Sequence, residues 1–191
     1  VLGVDEGGFK SVLAMVQGDK DSRAAWEMVF SELKRRGLDA SAVELGIMDG
    51  LPGLADAFRE AFPKARVARC WVHKARNVMP RVARRYQAEF QADWDRVQYA
   101  EDLGSARTNF EALRGRWQKP CEDAVASMER DLAELLVHYE FPKEHWDALR
   151  TTNPIERVNK EFKRRSRSMK TIGPDGLKTL LAFTALRLEF G

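Results

Sequence analysis

Cysteine is scarce in this chain. Cys70 and Cys121 are the only two among 191 residues, which excludes a disulfide-built scaffold and suits a reducing, cytosolic setting. Long apolar runs are missing as well. No stretch of about 18 residues is continuously hydrophobic, so neither a transmembrane helix nor a membrane partner is expected. The sequence carries no secretory signal pattern, no internal repeat and no low-complexity tract. It also lacks a starting methionine. Val1-Leu2-Gly3-Val4 reads as the middle of a strand, so the expectation is a fragment of a longer protein.

Enough apolar material remains for a core. Hydrophobic residues make up 44% and charged residues 32% of the chain, the balance of a well-solvated domain or a domain with an insertion. The net charge of +3 says little, but its distribution says more. Ala61 to Tyr86 holds eight Lys/Arg and no Asp or Glu, and Arg150 to Lys170 holds eight against two acids. Between them, Gln87 to Leu149 reverses the balance, with fourteen acids against seven bases. Two basic blocks around an acidic one suggest a localised polyanion-binding face. Solvated helix faces are the plainer alternative.

Periodicity gives the coarse order. Val1–Asp5 and Ser11–Gln17 flank Glu6-Gly7-Gly8 and read as a hairpin. Asp19 to Ser22 offers an N-cap for a helix carrying Met28, Val29 and Leu33, which Gly37 stops. Ala42–Met48 and Ala65–Trp71 read as buried strands, separated by a helix with Leu54, Phe58 and Phe62 that ends at Pro63. That order implies an α/β class with some parallel pairing. From His73 to Leu149 only helical patterns remain. A helix carrying Glu156 follows, and Leu177–Phe190 reads as a last apolar helix.

Two acids draw attention. Asp49 stands where a buried strand meets Gly50, a place from which side chains of α/β sheets reach a ligand crevice. Capping the next helix is its alternative role. Glu156 falls three residues after Asn153, a probable N-cap, with Pro154 at the first helical position, so a capping box is its structural alternative. Lys160, Lys163 and Arg164 follow on the same helical face. Two converging carboxylates suit Mg²⁺, and a two-metal site at a phosphodiester normally needs a third. Cys70 and His73 form half of a zinc pattern, but Cys121, His138 and His145 supply no matching close pair. Trp71 could stack on a base or simply pack.

Taken in order, several segments resemble the catalytic region of bacterial insertion-sequence transposases of the Mutator type. They are Glu32-Leu33-Lys34-Arg35-Arg36-Gly37-Leu38, Asp49-Gly50-Leu51-Pro52-Gly53-Leu54, Phe62-Pro63, Arg69-Cys70-Trp71-Val72-His73-Lys74 with Asn77, Phe141-Pro142, His145-Trp146, and Arg150-Thr151-Thr152-Asn153-Pro154-Ile155-Glu156. Their order and spacing agree over nearly the whole chain. The resemblance implies an α/β fold with an RNase H-like mixed sheet flanked by helices and an all-α insertion before the last catalytic helix. The expected division is 1–72 and 150–191 for the core and 73–149 for the insertion.

It also implies a DDE triad that binds Mg²⁺ (or Mn²⁺) and cuts and joins transposon DNA. Asp49 matches the second acid and Glu156 the glutamate. Cys70 and His73 match a signature near the active site. The first aspartate of the family belongs to a strand preceding Val1, and Asp5 is not assigned to it. Lys74, Arg76, Arg157, Lys160, Lys163, Arg164, Arg165 and Arg167 are the expected phosphate contacts. The expected partners are double-stranded DNA, both transposon ends and target, with room for a homo-oligomer, in a bacterial cytoplasm at the nucleoid. A non-catalytic DNA-binding remnant, or a helical domain whose basic face meets an acidic protein, are the competing readings.

Overall fold

The computed structural model of the chain describes residues 1–14, 16, 22–152, 156, 160 and 164. Two three-residue strands, β1 (Leu2–Val4) and β2 (Lys10–Val12), pair antiparallel with Leu2 opposite Val12. Their turn is closed by Asp5, whose side chain accepts from the Phe9 N–H at 2.9 Å. The expected hairpin is therefore present, with a second strand that ends at Val12. Helix α1 (Arg23–Arg35) starts at Ser22, whose hydroxyl accepts from the Ala25 N–H. It stops at Gly37, with φ of +102°. The Leu38 N–H returns to the Leu33 carbonyl and the Gly37 N–H to Lys34, the double bond of a left-handed helix stop.

A strand–helix–strand unit follows: β3 (Leu45–Met48), α2 (Pro52–Ala61) and β4 (Arg66–Arg69). The two strands pair in parallel, with Met48 opposite Arg69. Proline at the first turn of α2 suits a position whose N–H has no helical partner. Helices α1 and α2 pack together over this unit, and Phe30, Phe58 and Phe62 form its aromatic centre, with ring centroids 5.0 to 5.8 Å apart. Among the described residues the hairpin and the parallel pair are two separate two-stranded sheets, where the resemblance implied one mixed sheet. Their ladders are only three and four residue pairs long.

Everything described from Trp71 to Leu149 is helix, tight turn or loop. The elements are α3 (Trp71–Val78), α4 (Gln87–Gln98), α5 (Leu103–Trp117), α6 (Glu122–Leu135) and the short α7 (Trp146–Leu149). Trp71, expected to close a strand, instead opens α3. Its ring belongs to the helical core: it meets Trp94 edge-on at 5.3 Å, and its N–H donates to the Leu135 carbonyl. Trp71 is fully buried, which makes packing its role. Asp93 is buried in this block and accepts from Trp117, Arg96 and Arg116, so its charge is met three times.

The two parts meet along α6. Arg66, Arg69 and Lys74, all from the first basic block, pair with Glu140, Glu134 and Asp131 of the acidic segment. Arg66 and Arg69 thereby join the sheet to the helical block, and Lys74 joins α3 to α6 within that block. No described helix is long and apolar enough to cross a membrane.

Candidate active site

Asp49 leaves the carboxyl end of β3 and is exposed. Helix α2 starts at Leu51 with no side-chain cap, so capping is not what Asp49 does. Gly50 has φ of +103°, and a β-carbon there would come within 1.9 Å of the Arg69 guanidinium. Only glycine permits that approach. Arg69 in turn is held by Glu134, at 3.0 Å from its Nε and 2.8 Å from its Nη2. The turn carrying Asp49 therefore lies close against an arginine that the helical block holds.

One strand over, the Cys70 N–H donates to the Met48 carbonyl at 3.0 Å, which extends the parallel ladder by one step. Cys70 is the N-cap residue of α3 and is fully buried. The segment after α7 runs against this corner. The Trp71 N–H donates to the Arg150 carbonyl at 2.9 Å, and the Thr152 N–H donates to Cys70 Sγ at 3.3 Å. Thr152 Oγ1 lies 3.3 Å from Cys70 Sγ and 3.2 Å from His73 Nδ1. The Thr152 carbonyl accepts from the Glu156 N–H at 3.1 Å, the bond of a helical turn.

Glu156 then faces α3. Both its oxygens are taken by Arg76, at 2.9 and 3.2 Å, and His73 Nε2 stands 3.4 Å from the same Oε1. Asn153, the other half of the suggested capping box, lies outside the described residues. Lys160 and Arg164 follow Glu156 at four and eight residues, each helical and exposed. Arg157, Lys163, Arg165, Arg167 and the expected helix Leu177–Phe190 lie outside the described residues.

Lys74 has a different place from the one expected. It is 6% exposed and donates to Ser127 at 2.9 Å and to Asp131. Burial lowers its pKa from the usual value, with Asp131 pulling the other way. It serves the junction and faces no solvent groove, whereas Arg76, two residues on, is open to solvent.

Arg150 anchors the whole segment. Its side chain is buried, bonds Asp147 at 2.7 Å, lies over the Tyr99 ring at 5.1 Å and donates from Nε to His138 Nε2 at 3.3 Å. That donor fixes the His138 tautomer, so Nδ1–H points to the Leu135 carbonyl at 2.9 Å. Burial, with Arg150 adding to it, pushes His138 down to about 4. The backbone of the loop before Glu156 is thus tied to the helical block by a neutral histidine and a buried guanidinium. Arg69, Arg150 and Thr152 carry this arrangement, yet sequence reasoning gave them no role. The available signal was that Arg150 and Thr152 belong to the same motif as Glu156.

No group of three or more His, Cys, Asp or Glu gathers as a metal cage among the described residues. Cys70 and His73 share the Thr152 hydroxyl, with the Met48 carbonyl bonded to Cys70 on one side and Glu156 beside His73 on the other.

The family model described as "Transposase, Mutator family" matches residues 1–183. The chain belongs to the Mutator family of transposases. It is 35% identical over 156 residues to the transposase for insertion sequence element IST2 of Acidithiobacillus ferrooxidans, covering 82% of this chain and 52% of that protein. It is 36% identical over 156 residues to the transposase for IS6120 of Mycolicibacterium smegmatis, covering 82% and 48%. A match to the ISRM5 transposase of Rhizobium meliloti runs over 188 residues at 29% identity, covering 98% and 46%. This Mutator-family chain spans about half the length of the curated relatives it matches.

Proposed function

We propose that this chain is the catalytic region of a DDE-type transposase, with its α/β part arranged as an RNase H-like core, and that it cleaves transposon DNA and joins it to target DNA. What supports the reading is that the turn after β3 and the Glu156 segment lie on either side of the Cys70–His73 end of α3. Asp49 leaves β3 beside Cys70, and Glu156 is bound at the same corner through His73 and Arg76. The carboxyl ends of parallel strands are where α/β proteins build ligand crevices. The names of the relatives, all insertion-sequence transposases, support DNA as the substrate.

Asp49 and Glu156 would hold Mg²⁺ or Mn²⁺, since carboxylate oxygens are the donors such hard cations take. An ion bound there would supply a more acidic attacking hydroxyl and stabilise charge growing on the phosphodiester. The rest falls to the side chains. Asp49 offers its carboxylate from a turn that lies close against Arg69. Glu156 must yield part of Arg76's hold to accept an ion, and His73 keeps it oriented meanwhile. Two carboxylates fit the donor chemistry but fall short of a triad, and the third is proposed to precede Val1. Lys160 and Arg164 are the proposed phosphate contacts on the face of Glu156, with Arg157, Lys163, Arg165 and Arg167 added from the sequence pattern. Lys74 is left out of this set because Asp131 occupies it.

The test uses the full-length transposase and a duplex bearing a transposon end. Mg²⁺-dependent nicking is expected, and Asp49→Asn or Glu156→Gln is expected to abolish it. Nicking that survives in either variant refutes the assignment. Duplex binding should weaken with salt and with Lys160→Glu. The Arg76 clamp on Glu156 equally suits a non-catalytic DNA-binding remnant, and duplex binding without any nicking by the wild type would select that reading.

A further inference from the structure

We infer that the Thr152 hydroxyl is a positioning group that keeps the Nε2–H of His73 aimed at Glu156. The inference rests on the proposed role of Glu156 only for its consequence, since the contacts from Cys70 through Thr152 to His73, and the ion-pair approach of His73 to Glu156, stand on their own geometry. Four groups follow one another at contact distance. Cys70 Sγ is 3.3 Å from Thr152 Oγ1, Oγ1 is 3.2 Å from His73 Nδ1, and Nε2 is 3.4 Å from Glu156 Oε1. Thr152 is 8% exposed and Cys70 fully buried, so water does not substitute for these partners.

Proton placement follows from what each atom can do. A bare Nε2 would set its lone pair against a carboxylate oxygen, so Nε2 carries the proton. With a neutral ring, Nδ1 is then an acceptor. Thr152 Oγ–H then turns from Cys70 Sγ to donate to Nδ1. Sγ keeps the Thr152 N–H at 3.3 Å as a donor whichever way the hydroxyl turns. With a charged ring, Nδ1–H donates to Oγ1, and the hydroxyl turns its own proton to Sγ. Nε2–H faces Glu156 in both cases. Only a group that both donates and accepts can serve the two, and the hydroxyl of Thr152 does so. This gives the Cys-x-x-His spacing a physical meaning without a metal. Cys70 caps α3, His73 stands one turn later on the same face, and Thr152 is clasped between them. A carboxylate held from behind in this way is oriented before any ligand arrives, as outer-sphere partners orient ligating groups elsewhere.

Two readouts test it on the full-length protein. Imidazole ¹⁵N NMR, with His73 assigned by loss of its signals in His73→Asn, should show Nε2 protonated and Nδ1 accepting a hydrogen bond in the neutral ring. Thr152→Val, which keeps the shape and removes the hydroxyl, should shift Nδ1 to the value of an unbonded ring. It should also lower the turnover of DNA nicking by about 10- to 100-fold, the range for lost outer-sphere partners, with duplex affinity unchanged. Thr152→Ser, which restores the hydroxyl, should recover both the Nδ1 signal and most of the rate. Equal impairment by Val and Ser, or a Val variant with wild-type ¹⁵N shifts, overturns the inference. So does a wild-type spectrum with Nδ1 protonated and Nε2 bare, a result that needs no variant to fold. If the wild type shows the expected ¹⁵N pattern and the Ser/Val contrast but never nicks DNA, the relay stands and the catalytic assignment falls.

Discussion

The two flanks of α3 carry the same ingredients and use them differently. On one flank Lys74 reaches Asp131 and Ser127 inside the seam with α6. On the other, Arg76 meets Glu156 with the Arg76 side chain 59% exposed. Both are a cation of α3 facing an acid from a distant segment. Burial makes the difference. In the seam neither charge can be rehydrated if the partner is lost, so that pair holds the domain together. At the open corner water and salt compete with the pair, so it can be exchanged for another partner at small cost. A structural joint and an adjustable site thus sit two residues apart on one helix.

Breaking the seam should have the largest effect. Lys74→Met leaves Asp131 in a poorly solvated place with only Arg69 at 3.6 Å to answer it. Removing one partner of a buried pair typically costs about 3–5 kcal/mol, and the remaining arginine argues for about 3 kcal/mol, the lower end of that range. Urea unfolding at neutral pH measures this. A Lys74→Met protein as stable as the wild type would place the seam's strength elsewhere, in the Arg69–Glu134 pair or in the Trp71 packing.

Acid should strain the same side next. His138 is held neutral with a pKa of about 4, against an ordinary value of 6.5. A depressed folded-state value means that the unfolded chain binds the extra proton first. Its contribution is therefore full above pH 6.5 and is lost as pH falls through the window down to about 4. Between pH 7 and pH 4.5 the expected loss is on the order of 2 kcal/mol from this residue. Protonation would also set Nε2–H against the Arg150 guanidinium, loosening the anchor of the segment that carries Thr152 and Glu156. Unfolding series at the two pH values, in wild type and His138→Gln, should show the slope flattening in the variant.

The contrast between the flanks was partly readable beforehand. Alternating strand and helix signals located β3, α2 and β4, and Gly37 marked the end of α1. The helical stretch after His73 announced itself by the loss of strand patterns. What charge blocks could not show was which cations turn inward. For Lys74 the signal was there in the spacing. Trp71, Lys74 and Val78 are the buried positions of α3, at i, i+3 and i+7, and Arg76 falls off that stripe. The basic block hid the stripe, because a lysine on an apolar face is usually read as solvated. Trp71 was placed on a strand because its neighbours are apolar on both sides. The decision between strand and helix was made by Trp94 and Leu135, which are distant in sequence. Asp49 and Glu156 stand out in the sequence by a strand end, a helix start and motif order. Their environment does not, since Arg69, Arg150, Thr152 and Cys70 act through contacts that span up to 82 residues.

The smallest expected change in stability comes from the open flank, and it sharpens the comparison most. Arg76→Gln removes an exposed partner, so folding should shift by less than about 1 kcal/mol, against the larger loss in Lys74→Met. Its effect should show in DNA binding. In the free protein Arg76 is neutralised by Glu156. If arriving DNA draws Arg76 onto a phosphate, the variant loses one released counterion, and the slope of log affinity against log salt becomes shallower by about 0.9. Glu156→Gln is the complementary change, because it frees Arg76 while removing the acid. It is expected to bind duplex at least as tightly as the wild type and yet not nick it. Should Arg76→Gln leave the salt slope untouched, Arg76 stays on Glu156 throughout, and the open flank is a second fixed joint like the first.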